Sequence, residues 1–536
     1  MRGRMMQTPL LISSLIEHAG QVFSGQEVVS RTVEGPIHRY TWRDVRDRSR
    51  QLAQALEAHG ISGGDRIGTL AWNTYRHLEL YYGISGMGAV CHTLNPRLHP
   101  SQLIYIMNHA EDRILFLDLT FIPLAEAVAD KLTSVERYVV LTDSEHMQET
   151  TLSNAVAYED FIGEHDGDYE WPTLDENDAA ALCYTSGTTG HPKGALYSHR
   201  STVLHAYGVA MPDVFDMRPS TCVLPIVPLF HACSWGLAYS APLTGAKVVF
   251  PGPRYDPEAL TELMTGEGVN YCAGVPSVFI PLVQYWRDNG NAPPSLRMAV
   301  MGGTAPPPSL CAALEEEFGI EFRHAWGMTE TSPLGSINTL MPAHRELPIE
   351  ERRLFQTKQG RPPFGIEARI VGEDGGRLPH DGVAFGELQV RGPWVVDGYF
   401  KDDESQLTED GWFPTGDVAT IDPLCYIQIT DRSKDLIKSG GEWISSIDVE
   451  NTAMGHADIV MAAVIGIPDD RWDERPIMIC VAAPDSNPSK EHIIEFLSGT
   501  LAKWQLPDEV IFVDELPMGA TGKVQKTKLR EQYAGG

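Results

Sequence analysis

Basic charge is scarce in this sequence. Lysine and arginine number 42 against 72 aspartates and glutamates, which leaves a net charge of −30. Nucleic acids and anionic membranes both call for a basic footprint, so neither is expected as a partner. Cysteine is also sparse. No two of Cys91, Cys183, Cys222, Cys233, Cys272, Cys311, Cys425 and Cys480 form a C-x-x-C pair. Neither a zinc site nor a disulfide is therefore expected, and most of these thiols, set in apolar runs, read as reduced and buried in a cytoplasmic protein. There is no repeat of fixed period and no low-complexity tract. Long apolar runs are few. Ser13, Ser14 and Glu17 interrupt the one near the N-terminus, and no A-x-A site follows, which argues against a secretory signal. Residues 219–246 carry no charge, but Pro225, Pro228, His231 and Pro242 lie among them. A buried strand, loop and helix is expected there, not a membrane span.

What is present is a chain of 536 residues, 43% apolar, long enough for several structural units. Through the first half, helical and strand patterns alternate. "WRDVRDRSRQLAQALEAHG" (42–60) has helical spacing and ends on a glycine, while "ILFLD", "RYVVLTD", "KVVFPG" and "RMAVMGG" read as short buried strands. Such alternation predicts α/β layers with mainly parallel sheets. From about Arg361 the texture becomes short β runs split by Gly and Asp turns, as in a small β-barrel. The expected fold is α/β: a large N-terminal domain of layered sheets and helices (1–431) with the β-barrel at roughly 361–430. A small mobile C-terminal α/β domain (432–536) should follow, hinged within "DRSKDLIKSGG" (431–441).

The sequence "YTSGTTGHPKG" (184–194) joins glycines, four Ser/Thr hydroxyls and a lysine. Backbone N–H groups, hydroxyls and a cation suit a polyphosphate, although Gly/Ser/Thr runs are also ordinary surface turns. It is not a P-loop of the Walker type. Its lysine is followed by glycine, and "ALCY" and "GALYSH" on either side read as strands, where a P-loop leads into a helix.

This loop resembles the phosphate-binding loop of the adenylate-forming superfamily, which contains acyl-CoA synthetases, amino-acid adenylation domains and luciferases. The resemblance continues in order through "LPIVPLFH" (224–231), "MGGTAPP" (301–307), "HAWGMTE" (324–330), "GWFPTGD" (411–417), "DRSKDLIKSGGEWIS" (431–445) and "GATGKVQK" (519–526). It implies an ATP-dependent acid–thiol ligase. A carboxylate attacks the α-phosphate of ATP, pyrophosphate leaves, and a thiol then takes the acyl group. The implied cofactors are ATP, Mg2+ and coenzyme A.

The resemblance also implies roles for single residues. Thr185, Ser186, Gly187, Thr188, Thr189, Gly190 and Lys193 would hold the β- and γ-phosphates, with Glu330 and Thr185 on the metal. Gly302, Gly303, Thr304, Ala325, Trp326, Gly327, Met328 and Thr329 would surround the adenosine, Trp326 replacing the usual stacking tyrosine. Asp417 and Arg432 would hold the ribose. Lys523 is the expected catalytic cation of adenylation, and Lys434 the hinge about which it is withdrawn. The turn of Lys438, Ser439, Gly440, Gly441 and Glu442 would then line the pantetheine channel.

Amino-acid-activating relatives carry an aspartate where His231 stands, so the substrate is expected to lack an α-amino group. His231 resembles the gate residue of acyl-CoA synthetases. Trp235, Gly236, Val275, Pro276 and Pro333 complete the expected acid pocket, and Trp235 as a bulky wall favours a short or medium-chain carboxylic acid. The chain runs 13 residues past Lys523, so free coenzyme A is expected as acceptor, with no carrier protein. A homodimer is implied by the resemblance alone. An aryl-acid ligase and a degenerate nucleotide-binding regulator on the same fold stay open at this point.

Overall fold

The structure is a computed structural model that describes residues 1, 3–185, 191–432, 435–439, 442–469, 471–484, 486–519 and 523–533, without the side chains of 432, 442 and 443. The helical spacing of 42–60 becomes the helix Trp42–Ala58. Thr41 starts it: its hydroxyl accepts from the Asp44 N–H while the Asp44 carboxylate accepts from the Thr41 N–H. That reciprocal pair satisfies two donors the first turn would otherwise leave open.

The short buried runs assemble into two large sheets. One has seven strands, ordered Ala155–Ala157, Arg137–Val140, Ile114–Leu117, Arg66–Leu70, Val90–Thr93, Ala179–Tyr184 and Gly194–Ser198. All its pairings are parallel except the last, where Ala179–Tyr184 and Gly194–Ser198 form an antiparallel hairpin. The other has eight, ordered Leu334–Ile337, Glu321–Gly327, Met298–Met301, Tyr271–Gly274, Cys222–Pro225, Lys247–Phe250, Glu27–Arg31 and Ile37–Thr41, antiparallel only at its two edges. One core joins inward residues of both sheets, such as Val223 and Val300 with Ile67 and Phe116, to helices between them. Every residue of the helix Tyr75–Gly86 is buried. Its Glu79 carboxyl is tied at 2.7 Å to both the Arg48 guanidinium and the Tyr158 hydroxyl, which offset part of the cost of burying it.

The charge-free stretch 219–246 is the strand Cys222–Pro225, a turn Ala232–Trp235 and the helix Leu237–Thr244. Among the described residues no helix is long and apolar enough to cross a membrane. The β runs after Arg361 form a four-stranded antiparallel sheet, Glu367–Val371, Phe385–Arg391, Phe413–Ile421 and Ile427–Arg432. A last, five-stranded sheet includes Ile437–Ser439, Ile459–Asp469, Asp473–Ala482 and Glu509–Phe512, with helices Ser446–Ala453 and Lys490–Ser498 of the same cluster. Its separate core is what makes it an α/β unit of its own. All eight cysteines are free thiols and only Cys425 is exposed.

Burial holds several imidazoles neutral. His77, His199 and His324 are each lowered to about 4, and His205 to about 3. Their folded-state pKa lies below the unfolded value, so the unfolded chain binds more protons between roughly pH 4 and 6.5. Their stability is present above that window and is lost as the pH falls through it. Glu34 and Glu159, held low despite burial by Arg76 and Arg48, lose their contribution only below the ordinary carboxylate value of 4.5. Asp118, raised by burial to about 7, acts oppositely. At up to about 1.4 kcal/mol per pH unit for each group, melting temperature should fall steadily from pH 7 to pH 4.5. A flat profile would show that these histidines are not held neutral.

Candidate active site

The hydroxyl-rich segment links the two antiparallel strands Ala179–Tyr184 and Gly194–Ser198, so it lies between strands as expected. The Thr185 N–H donates to the Lys193 carbonyl at 2.9 Å and closes its neck. Ser186, Gly187, Thr188, Thr189 and Gly190 lie outside the described residues. The ammonium of Lys193 lies over the Tyr399 ring, 4.6 Å from its centroid.

Gly302, Gly303 and Thr304 follow the strand Met298–Met301, and Ala325, Trp326 and Gly327 end the neighbouring strand Glu321–Gly327. The two are packed so closely that a Cβ on Gly302 would lie 2.7 Å from the Ala325 carbonyl oxygen, and one on Gly327 would collide with that of Pro333. Met328 leads into the turn Thr329–Thr331, which carries the buried carboxylate of Glu330. The Trp326 indole N–H donates to Asp417 Oδ2 at 2.9 Å, joining two of the expected nucleoside contacts. Asp417 is in turn the strand partner of Arg432.

His231 ends a segment pinned by buried Asn73, whose amide donates to the Pro225 and Val227 carbonyls and accepts from the Leu229 N–H. Burial lowers His231 to about 4, and the charges of Arg97 and Lys523 push in the same direction. Lys523, on the terminal unit, thus stands within electrostatic reach of His231 although 292 positions separate them in the chain. Arg97 was not among the residues expected here; nothing in its local sequence sets it apart.

The residues after His231 are also unexpected. Ala232, Cys233, Ser234, Trp235 and Gly236 all have positive φ, between 39° and 78°. A left-handed turn costs L-residues roughly 1–2 kcal/mol each. Hydrogen bonds from the Ser234 hydroxyl to the Val227 carbonyl, and from the Ser234 N–H to the His231 carbonyl, hold it there. It turns the Trp235 ring against Gly302, where a Cβ would sit 3.3 Å from its Cη2. Val275 and Pro276 begin the helix Pro276–Asn289, and Pro333 precedes the edge strand Leu334–Ile337.

Lys438 and Ser439 lie on the strand Ile437–Ser439. The Lys438 N–H donates to Glu474, and the buried Ser439 hydroxyl accepts from Arg475 at 3.0 Å. Lys434, Gly440 and Gly441 lie outside the described residues, as does the side chain of Glu442. On one side of 433–434, Asp431 accepts from the Ser446 N–H; on the other, Asp435 pairs with Arg530 at 2.6 Å.

Two layered sheets around buried helices, a hairpin-borne loop of hydroxyls and a small terminal α/β unit define the adenylate-forming class of α/β enzymes. The chain belongs to the AMP-binding enzyme family: residues 16–400 match that family, and 448–523 match the AMP-binding enzyme C-terminal domain. It is 50% identical to a 3-methylmercaptopropionyl-CoA ligase of Ruegeria lacuscaerulensis over 533 residues, 99% of each chain. It is 46% identical to a medium-chain-fatty-acid–CoA ligase of Ectopseudomonas oleovorans over 99% of this chain and 98% of that one. Among solved structures, an anthranilate CoA ligase, AuaEII, in complex with anthranoyl-AMP superposes with a TM-score of 0.86 at 26% identity, covering 98% of both chains.

Proposed function

We propose that this protein is an ATP-dependent acyl-CoA ligase that acts on short acids, with 3-(methylthio)propanoate the foremost candidate. Carboxylic acid, ATP and coenzyme A give acyl-CoA, AMP and pyrophosphate through an acyl-adenylate. The observation that carries this reading is the 50% identity, over 99% of both chains, to a ligase of that name. The second reading, a medium-chain fatty acid ligase, is favoured by the 46% identity to such an enzyme. Free coenzyme A is the acceptor, with no carrier protein, and the reaction is assigned to the cytoplasm. A homodimer is the proposed assembly.

In this scheme Lys193 and the N–H groups of its loop bind the phosphates, and Trp326, Asp417 and Arg432 hold the nucleoside. Lys523 bridges the two anions that must meet, the acid's carboxylate and the α-phosphate. Neutral His231 borders the carboxylate without adding a like charge. The buried Glu330 carboxylate and the Thr185 hydroxyl are hard oxygen donors of the kind Mg2+ takes. When bound, that ion neutralises charge on the phosphates. Residues 1–431 and 432–536 are proposed as the two domains. Rotation at Lys434 then withdraws Lys523 and presents Lys438–Glu442 for thioester formation.

Trp235 offers the test of acid length. Its ring, half-buried against Gly302, is proposed to close the far end of the acid pocket. Trp235→Ala should admit extra methylenes, each worth about 0.8 kcal/mol or roughly fourfold in binding. Preference, scored as kcal/mol-equivalent ratios of kcat/KM for acids of increasing length with ATP and coenzyme A, should move toward longer chains, and short acids should turn over more slowly. A lowered melting temperature with unchanged ranking would make Trp235 a packing residue only.

A further inference from the structure

We propose that Tyr399, which none of the sequence motifs includes, is a positioning residue that sets the metal-binding geometry of the triphosphate subsite by fixing Glu330 and Lys193 together. This rests on the adenylation chemistry proposed above. The Tyr399 hydroxyl donates to Glu330 Oε1 at 2.7 Å, and its ring carries the Lys193 ammonium on its face, 4.6 Å from the centroid. A carboxylate and an ammonium assigned to the same polyphosphate are thus held apart by one phenol. Without it they are free to pair with each other, and each would then be neutralised before any phosphate or metal arrived.

The surrounding backbone is built to hold that phenol in place. The Phe400 N–H donates to the Gly194 carbonyl, directly after Lys193, at 2.8 Å, and the Val396 N–H donates to the Glu330 carbonyl at 2.9 Å. From the other side, the Tyr197 hydroxyl reaches the Thr329 carbonyl at 2.6 Å. The loop 396–400, the return strand of the phosphate hairpin and the turn bearing Glu330 therefore form one hydrogen-bonded assembly. In the Tyr399–Glu330 contact the phenol hydroxyl is the donor and the carboxylate the acceptor. One lone-pair set of Glu330 is committed, which leaves the rest of the carboxylate aimed in a defined direction.

Removing only the hydroxyl separates this role from general packing. Tyr399→Phe keeps the ring under Lys193 and frees Glu330. Binding of a non-cleavable analogue, α,β-methylene-ATP, followed by calorimetry across a Mg2+ titration, should show half-saturating Mg2+ raised about tenfold, with metal-free binding unchanged. Tyr399→Leu removes the ring as well and should weaken metal-free binding too. Adding Tyr399→Phe to Glu330→Gln should change Mg2+ dependence no further, because the hydroxyl acts through that carboxylate. Conversion of supplied acyl-adenylate to acyl-CoA should be untouched in Tyr399→Phe. Wild-type Mg2+ dependence in a folded Tyr399→Phe protein would overturn the proposal, as would full additivity with Glu330→Gln. A wild-type protein that binds the analogue with Mg2+ but forms no acyl-adenylate would instead refute the proposed function and leave Tyr399 standing as a nucleotide-site residue.

Discussion

Replacing Lys523 with alanine should slow acyl-adenylate formation by about 10²–10³-fold, the usual cost of removing one preorganised group from a developing charge. The acid and the α-phosphate are both anions, and their approach needs a cation between them. Lys523 is the cation proposed for that place, close enough to His231 to bear on its protonation. ATP binding should survive, because Lys193, Asp417 and Glu330 are untouched. Acyl-adenylate supplied from outside should still become acyl-CoA at near the wild-type rate, since the proposed scheme gives that step to the other arrangement of the two units. Single-turnover measurement of each half-reaction checks this. An equal loss in both would remove the assigned role.

Proline at Lys434 should have the opposite effect. A hinge works through changes in backbone angles, and proline fixes φ near −65° and removes the N–H. Lys434 itself lies outside the described residues, but the contacts on either side of it are described. After it, Asp435 is held by Arg530 of the final helix; before it, Asp431 reaches across to the N–H of Ser446. A rotation pivoting at Lys434, as proposed, would keep the first contact and break the second. Lys434→Pro should therefore leave adenylation within a few-fold of wild type and lower thioester formation by roughly 10² or more. If both half-reactions stay within a few-fold, the pivot lies elsewhere.

Much of the layered fold is legible because buried parallel strands announce themselves as short apolar runs: "ILFLD" contains Ile114–Leu117, and "RMAVMGG" contains Met298–Met301. The strands on either side of the hydroxyl-rich segment are legible for the same reason, and they pair as an antiparallel hairpin. The left-handed turn at 232–236 is not. Cys233, Ser234 and Trp235 give no local signal for positive φ; only Gly236 does, and tertiary hydrogen bonds impose the rest. Tyr399 escapes for a related reason. Its contacts, Glu330 and Lys193, are 69 and 206 positions away, and a tyrosine among turn residues reads as an exposed aromatic until the loop is folded onto them. The charge of Arg97 acting on His231 and the hydrogen bond of Arg475 to Ser439 are likewise products of the fold, not of any spacing.

The central claim is that the acid's own oxygen attacks the α-phosphate, and isotopic labelling tests it directly. The wild-type protein would be given ATP, coenzyme A and 3-(methylthio)propanoate labelled with 18O in both carboxylate oxygens, and the products analysed by mass spectrometry. Attack at the α-phosphate leaves an acid oxygen bridging carbon and phosphorus, and thiolysis then cleaves the carbon–oxygen bond. The predicted result is one 18O in each AMP, with one left in the acyl-CoA carbonyl and none in pyrophosphate. Unlabelled AMP, or label in pyrophosphate or free phosphate, would contradict it.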